Sequence, residues 1–361
     1  MNKNNALKNG LALVVFLNAL SWNALAQEDL LLKDFEPVSI YNTPKTVVEK
    51  ARYPVTDVHS HPYPVSPEEI ESWVKTMDRA NIEKTIILTY NTGKAFDSLS
   101  NLYSKYGDRF ELWCGFDYTG YTDDGWGEKA VAELERCYRA GAKGVGELGD
   151  KGTGLYYSKP SVAKSMHIDD DRMKPLLKRC GELGMPVSIH VADPYWMYLP
   201  MDKHNDGLMN AYTWKIDTSK ENLLLHQELL NTLENAVKEH PNTTFIACHL
   251  ANCSHNLDIL GSLLDRYPNL YTEIGARYAE IAPTPRRVKA FFEQYQDRLL
   301  YGTDMGMSSS MYQTTFRILE SKDEHFYVRE HFSYHWPLHG LDLGDEVLKK
   351  LYQENAKHIY D

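Results

Sequence analysis

Eight short β-rich runs alternate with helical stretches along this chain, and that alternation narrows the possible folds more than any other feature. The runs cover residues 54–59, 84–90, 110–118, 142–148, 186–191, 243–249, 269–274 and 298–301. Between them, segments 67–79, 96–105, 128–140, 172–183, 222–239, 257–266 and 285–294 repeat apolar residues at the 3.6-residue period of an amphipathic helix. Parallel strands need a long crossover, usually helical, so strand then helix repeated eight times predicts an α/β fold: a single-domain (β/α)8 TIM barrel. The commonest rival is an open doubly wound sheet. Its nucleotide-binding form loses support because no Gly-x-Gly-x-x-Gly turn follows the first run and no Walker loop occurs.

The ends of the chain read differently from its middle. Residues 1–26 have the layout of a secretory signal: Lys3 and Lys8, an apolar stretch over 10–20, then Ala24-Leu25-Ala26 as a small-x-small cleavage site. The stretch is interrupted by Asn18 and is shorter than the ~20 residues that span a bilayer, and no Cys follows it as a lipoprotein would require. The expectation is a periplasmic or secreted protein with no membrane span once matured. Residues 27–52 form an entry segment, residues 53–361 the barrel, and 345–359 a closing amphipathic helix with Val347, Leu348, Leu351, Tyr352 and Ile359 on its apolar positions. A net charge of −11 excludes nucleic acid as a natural partner, since that interaction depends on basic surface. Five scattered Cys make no zinc signature and read as buried small residues or at most one bridge.

Two connections are long, 149–171 after the fourth run and 192–219 after the fifth, and long loops in compact domains usually carry function. The second holds Tyr195, Trp196, Met197, Tyr198, Met201, Met209, Tyr212 and Trp214. That composition suits an ordered lid or pocket wall, with Tyr195 and Trp196 as substrate contacts; a homodimer contact fits it equally well.

Metal-ligating residue types recur at run ends. His59 and His61 form a His-x-His pair, and residues two apart on a strand point the same way. Glu147 ends the fourth run, His190 the fifth and His249 the sixth, while Asp304 follows the eighth in Tyr301-Gly-Thr-Asp304. In a (β/α)8 barrel the C-terminal strand ends converge on one mouth, where active sites sit. His167, His204, His226, His240, His325 and His331 fall on helical or loop segments and read as solvent-facing or packing residues. Arg277 is placed to hold a substrate carboxylate, with a structural salt bridge as the plainer reading and Glu273 as its partner or as a supporting acid. Asn252 and His255 are expected near the mouth, with Ser254 as a helix N-cap. No Gly-x-Ser-x-Gly elbow supports a serine hydrolase.

With Asp57-Val-His-Ser-His61, Tyr271-Thr-Glu-Ile-Gly275 and Tyr301-Gly-Thr-Asp304, the chain resembles the amidohydrolase superfamily of metal-dependent hydrolases. The resemblance is to its amidohydrolase-related (amidohydrolase 2) branch, which also contains aminocarboxymuconate-semialdehyde decarboxylase-like enzymes. It implies that His59, His61, His190 and Asp304 ligate a divalent metal, usually zinc, and that His249 binds a second metal or hydrogen-bonds the substrate. Glu147 then either bridges two metals or orients a ligating His. Independently, three imidazoles and a carboxylate suit Zn2+, which lowers the pKa of a water to ~7. Asp304, and with it His249, would be catalytic, Asp304 moving a proton from water to the leaving group. The expected reaction is hydrolysis of a small-molecule ester, lactone or amide. The alternatives are decarboxylation of an unsaturated or aromatic acid, and a non-catalytic periplasmic binding protein on a barrel scaffold.

Overall fold

The computed structural model describes residues 30–331 and 334–360, so the signal reading of 1–26 lies outside the described residues. The chain divides into two units, Met1–Ser39 and Ile40–Asp361. Within the first, the described residues carry a 3-10 turn at Leu32–Asp34.

The second unit holds the barrel. Its strands are β1 Val55–Ser60, β2 Ile82–Leu88, β3 Phe110–Trp113, β4 Val145–Asp150, β5 Gly154–Leu155, β6 Ala163–Lys164, β7 Val187–Val191, β8 Phe245–Ala247, β9 Leu270–Glu273 and β10 Leu299–Leu300. Parallel ladders run β1-β2-β3 and β10-β9-β8-β7-β4, and the antiparallel β5-β6 hairpin extends the latter at β4. All eight expected runs appear in chain order; the hairpin inside the 149–171 connection is an addition. Among the described residues no ladder spans the two seams, but hydrogen bonds do. Cys114 N donates to Gly144 O at 3.0 Å between β3 and β4, and Val58 N donates to Tyr301 O at 2.9 Å between β1 and the end of β10.

Strands β1, β4 and β7 are buried along their whole length, as expected where helices cover one face and the barrel interior the other. Val58, Ile86, Leu88, Trp113, Ile246 and Leu300 form the inner cluster, and Ala356 closes it from the C-terminal segment. That segment runs as helix Asp345–Lys349, a π turn Lys350–Glu354 and helix Asn355–Tyr360. It is tied to the strands by Tyr301 N to Leu351 O at 2.9 Å and Asn355 Nδ2 to Leu299 O at 2.8 Å.

The helices follow local rules. Helix Pro67–Ala80 starts with Pro at its first turn and the Ser66 side chain accepting from Glu69 N, buries Ile70, Trp73, Met77 and Ala80 on one face, and ends at Asn81 with φ +64°. Helix Ser309–Glu320, capped by Ser308, was not among the expected segments; seven of its twelve residues are buried, which blurs the amphipathic stripe. The five Cys are free and buried. Among the described residues, no helix is long and apolar enough to cross a membrane.

Candidate metal centre

The mouth of the barrel gathers His59, His61, Glu147, His190, His249 and Asp304, and each arrives by its own route. On β1, the buried Asp57 carboxylate accepts from Thr303 N at 3.0 Å, Thr303 Oγ1 at 2.6 Å and His59 N at 3.2 Å. These bonds and Asp304 N to His59 O at 2.8 Å lash the loop after β10 to β1, which sets Asp304 beside the two histidines. Gly302 in that loop must lack a side chain: a Cβ there would lie 2.5 Å from Glu273 Oε2 and 2.9 Å from His59 Cβ.

Two placements differ from the sequence reading. Glu147 sits inside β4 rather than at its end. His249 lies beyond β8, in the turn Cys248–Asn252, where His249, Leu250 and Ala251 all have φ between +51° and +60°. Left-handed backbone at non-glycine residues costs roughly 1–2 kcal/mol each, and persists only where surrounding bonds hold it. Here Glu273 Oε1 accepts from His249 N at 2.7 Å, and Asn252 Nδ2 donates to Val191 O at 3.0 Å.

Three of the four imidazoles share one design. His59 donates through Nδ1 to Glu273 Oε1 (3.0 Å), His61 to Leu88 O (2.9 Å) and His249 to Gly275 O (2.8 Å). A ring that donates at Nδ1 presents the lone pair of Nε2 on its other side. Those Nε2 atoms face carboxylates: His61 lies 3.1 Å from Asp304 Oδ1 and 3.5 Å from Glu147 Oε2, His59 lies 3.5 Å and 3.8 Å from the same atoms, and His249 lies 3.3 Å from Glu147 Oε1. His190 approaches Glu147 Oε1 through Nδ1 at 3.1 Å. The Glu147 carboxylate therefore turns Oε2 to His59 and His61, and Oε1 to His190 and His249.

Lone pairs aimed at anions repel unless a cation lies between them. His59 Nε2 is buried with no hydrogen-bond partner, and the triads His59-His61-Glu147, His59-His249-Asp304 and Glu147-His190-His249 each bring their ligand atoms within 4.8 Å. This donor set fits a divalent metal. Electrostatics without the ion point the same way. Burial pushes Asp304 up, but His59 and His61 outweigh it and hold it down at about 2. Burial likewise opposes ionisation of Glu147, and His59, His190 and His249 carry it well below the usual carboxylate range.

The centre forms the floor of a cavity of about 540 Å³. Tyr90, Tyr157, Met197 and Trp214 wall it, and Lys151, Lys159 and Arg277 supply positive charge. Arg277 stands where expected, but its acid partner is Glu280 at 3.6 Å, with Asn252 Oδ1 accepting from its Nε. Glu273 is instead the acid behind His59.

Tyr195 and Trp196 correct the sequence reading: they line a neighbouring cavity of about 460 Å³ with His255 and Trp336. The 3-10 turn Tyr195–Tyr198 fans successive side chains about 120° apart, so Met197 alone of that turn lines the metal cavity. Ser254 is not the cap of the following helix; the Asn256 side chain accepts from Asp258 N. His226 packs as expected, buried and bonded to Asn252 O at 3.0 Å. Lys151, Lys159, Tyr157 and Asp193 escaped the sequence reading because loop positions show no periodicity, and Tyr90, at the end of the second expected run, carries no ligating group to mark it.

Comparison with known proteins agrees with this architecture. Residues 118–361 match the amidohydrolase family model Amidohydro_2. Similar solved structures include 2,6-dihydroxybenzoate decarboxylase from Rhizobium (14% identity, TM-score 0.53, covering 85% of this chain and 98% of that one). A dihydroxybenzoic acid decarboxylase from Polaromonas with bound manganese and an inhibitor gives 14% identity and TM-score 0.53, over 85% of this chain and 97% of that one. A TIM-barrel protein from Bordetella bronchiseptica gives 15% identity and TM-score 0.53, over 84% and 97%. At these identities the likeness speaks to the fold alone. No curated protein matches the chain. With the family model matching more than half of its residues, the chain belongs to the amidohydrolase family and carries that family's TIM-barrel architecture.

Proposed function

We propose that this protein is a metal-dependent hydrolase of a small organic ester, lactone or amide, whose site would hold two divalent ions with Glu147 as a shared ligand. The observation that carries this reading is the division of the Glu147 carboxylate, one oxygen toward His59 and His61 and the other toward His190 and His249. His59, His61 and Asp304 would hold one ion, and His190 and His249 the other. When bound, such ions supply Lewis acidity that polarises a carbonyl and lowers the pKa of a water toward ~7. Imidazole and carboxylate accept Zn2+ or Mn2+, and we propose Zn2+ as the first ion to test.

Asp304 is the group that moves the proton. Ionised and 3.1 Å from His61, it takes a proton from the attacking water and passes it to the leaving oxygen or nitrogen. Arg277 and Lys159, on the cavity wall, hold an acid group of the substrate, while Tyr90, Tyr157 and Trp214 exclude bulk water. A complete ligand set with a general base argues against a protein that only binds.

Decarboxylation of an aromatic acid is the second reading, favoured by the same cationic wall and by the similar fold of the Rhizobium and Polaromonas decarboxylases. Metal analysis combined with product analysis separates the two. Two equivalents per chain, with water oxygen entering the product, support hydrolysis; one equivalent with carbon dioxide release hands the site to the decarboxylase reading. Export to the periplasm or medium is likewise proposed, and N-terminal sequencing of the fractionated protein tests cleavage near Ala26.

A further inference from the structure

Three of the four imidazoles have an obvious partner behind the ring: Glu273 for His59, Leu88 O for His61 and Gly275 O for His249. His190 differs. Its Nδ1 faces Glu147, and its Nε2 is buried with no partner inside normal hydrogen-bond geometry. Asp193 Oδ1 lies 3.5 Å from that Nε2, and Lys151 Nζ lies 2.8 Å from the same oxygen. Asp193 is itself fixed: its N–H donates to Tyr198 Oη at 3.2 Å, and its side chain is 7% exposed. Lys151 comes from the connection after β4 and Asp193 from the connection after β7, so the two long loops meet behind His190.

We infer that Asp193 is the positioning residue for His190, and that Lys151 holds Asp193 in place from the cavity wall. A buried ring N–H with one carboxylate in reach is drawn to it, and a carboxylate bonded to the far nitrogen fixes the tautomer and makes the near nitrogen a better ligand. Lys151 then has two loyalties, since it both pairs with Asp193 and lines the substrate cavity. The two proposed ion sites would thereby be supported unequally: Glu273, inside the barrel, stands behind His59, whereas an ion pair between two loops stands behind His190. This inference rests on the two-ion reading for its assignment of Asp193 to the second ion.

The test is stepwise metal affinity, measured by chelator competition with Zn2+ or Mn2+ on the full chain, for wild type, Asp193→Asn and Lys151→Met. Loss of metal affinity for such an outer partner runs to about 10–100-fold. Asp193→Asn is expected to lose that much at one equivalent only, and Lys151→Met a few-fold at the same equivalent, with the metal-free proteins melting together. Equal loss at both equivalents, no loss at either, or a lowered melting temperature of both metal-free variants overturns the inference. Should the wild type hold a single ion, the two-ion reading fails, and Asp193 is judged on that ion: tenfold loss or more supports its role, and unchanged affinity removes it.

Discussion

The two halves of the candidate centre are made differently. His59 lies on β1 and His61 one residue past its end, and Asp304, itself in left-handed backbone at φ +61°, is strapped to β1 through Asp57 and Thr303. His190 comes from β7 and His249 from the turn after β8, a left-handed turn that Glu273 and Asn252 hold in shape. Behind the first half stands a fully buried glutamate; behind His190 stands an ion pair between loops. One chain segment supplies both histidines of the first half, whereas those of the second half come from two separate segments.

Substitutions can break this contrast in graded steps. The largest effect is expected from Asp304→Asn, which keeps the shape but removes the proton carrier; turnover should fall by about 10²–10⁴-fold while most metal stays bound. Near-normal rates in that variant would end its assignment as base. Glu147→Gln comes next, since it weakens both halves together: one of the two ions should be lost, and a variant that keeps its full metal content would show that Glu147 only orients a histidine.

Glu273→Gln probes the connection between the halves. Glu273 accepts from both His59 Nδ1 and His249 N, so its loss should lower metal affinity by about 10–100-fold, with both equivalents affected. Loss at one equivalent alone would show that the two halves are uncoupled there. Asp57→Ala acts on stability instead, leaving buried donors of Thr303 and His59 unpaired at a cost of about 1–3 kcal/mol, read as a lowered melting temperature of the metal-free protein.

The smallest effect lies in the connection after β4 that carries Lys151. His167 Nδ1 bonds Asp150 at 2.6 Å, and that bond outweighs partial burial to raise the imidazole's pKa. A raised folded value means that the pair stabilises fully below the unfolded imidazole's ~6.5 and stops doing so as pH rises through the folded value. With Asp150 buried and the imidazole partly exposed, the contribution is about 0.5–1.5 kcal/mol. Melting curves of wild type and His167→Gln should therefore differ in mild acid and converge in alkali; a gap that widens with pH would reverse the sign.

Strand and helix periodicity are carried by neighbouring residues, so the eight runs, the closing helix and the His-x-His pair could be read along the chain. The strand-end rule extended that to His190 and Asp304, because a parallel barrel brings those ends together whatever its loops do. Glu147 and His249 were identified for their chemistry but misplaced by three and two residues, since neither a mid-strand carboxylate nor a run of left-handed residues has a periodic signature.

Loop side chains obey no such local rule. Trp196 and Met197 are adjacent and similarly apolar, yet they face different cavities because a 3-10 turn sends them apart. Glu273 and Arg277 look like a natural pair in sequence, but burial and hydrogen bonding bind Glu273 to His59 and leave Arg277 with Asn252 and Glu280. Lys151 and Asp193 are separated by the β5-β6 hairpin, a helix and β7, and only packing of their two loops makes them one ion pair. Covalent order and periodicity thus dictated the barrel and the kinds of ligand at its mouth. Long-range packing, which depends on groups distant in the chain, chose which nitrogen of each histidine faces inward and what stands behind it.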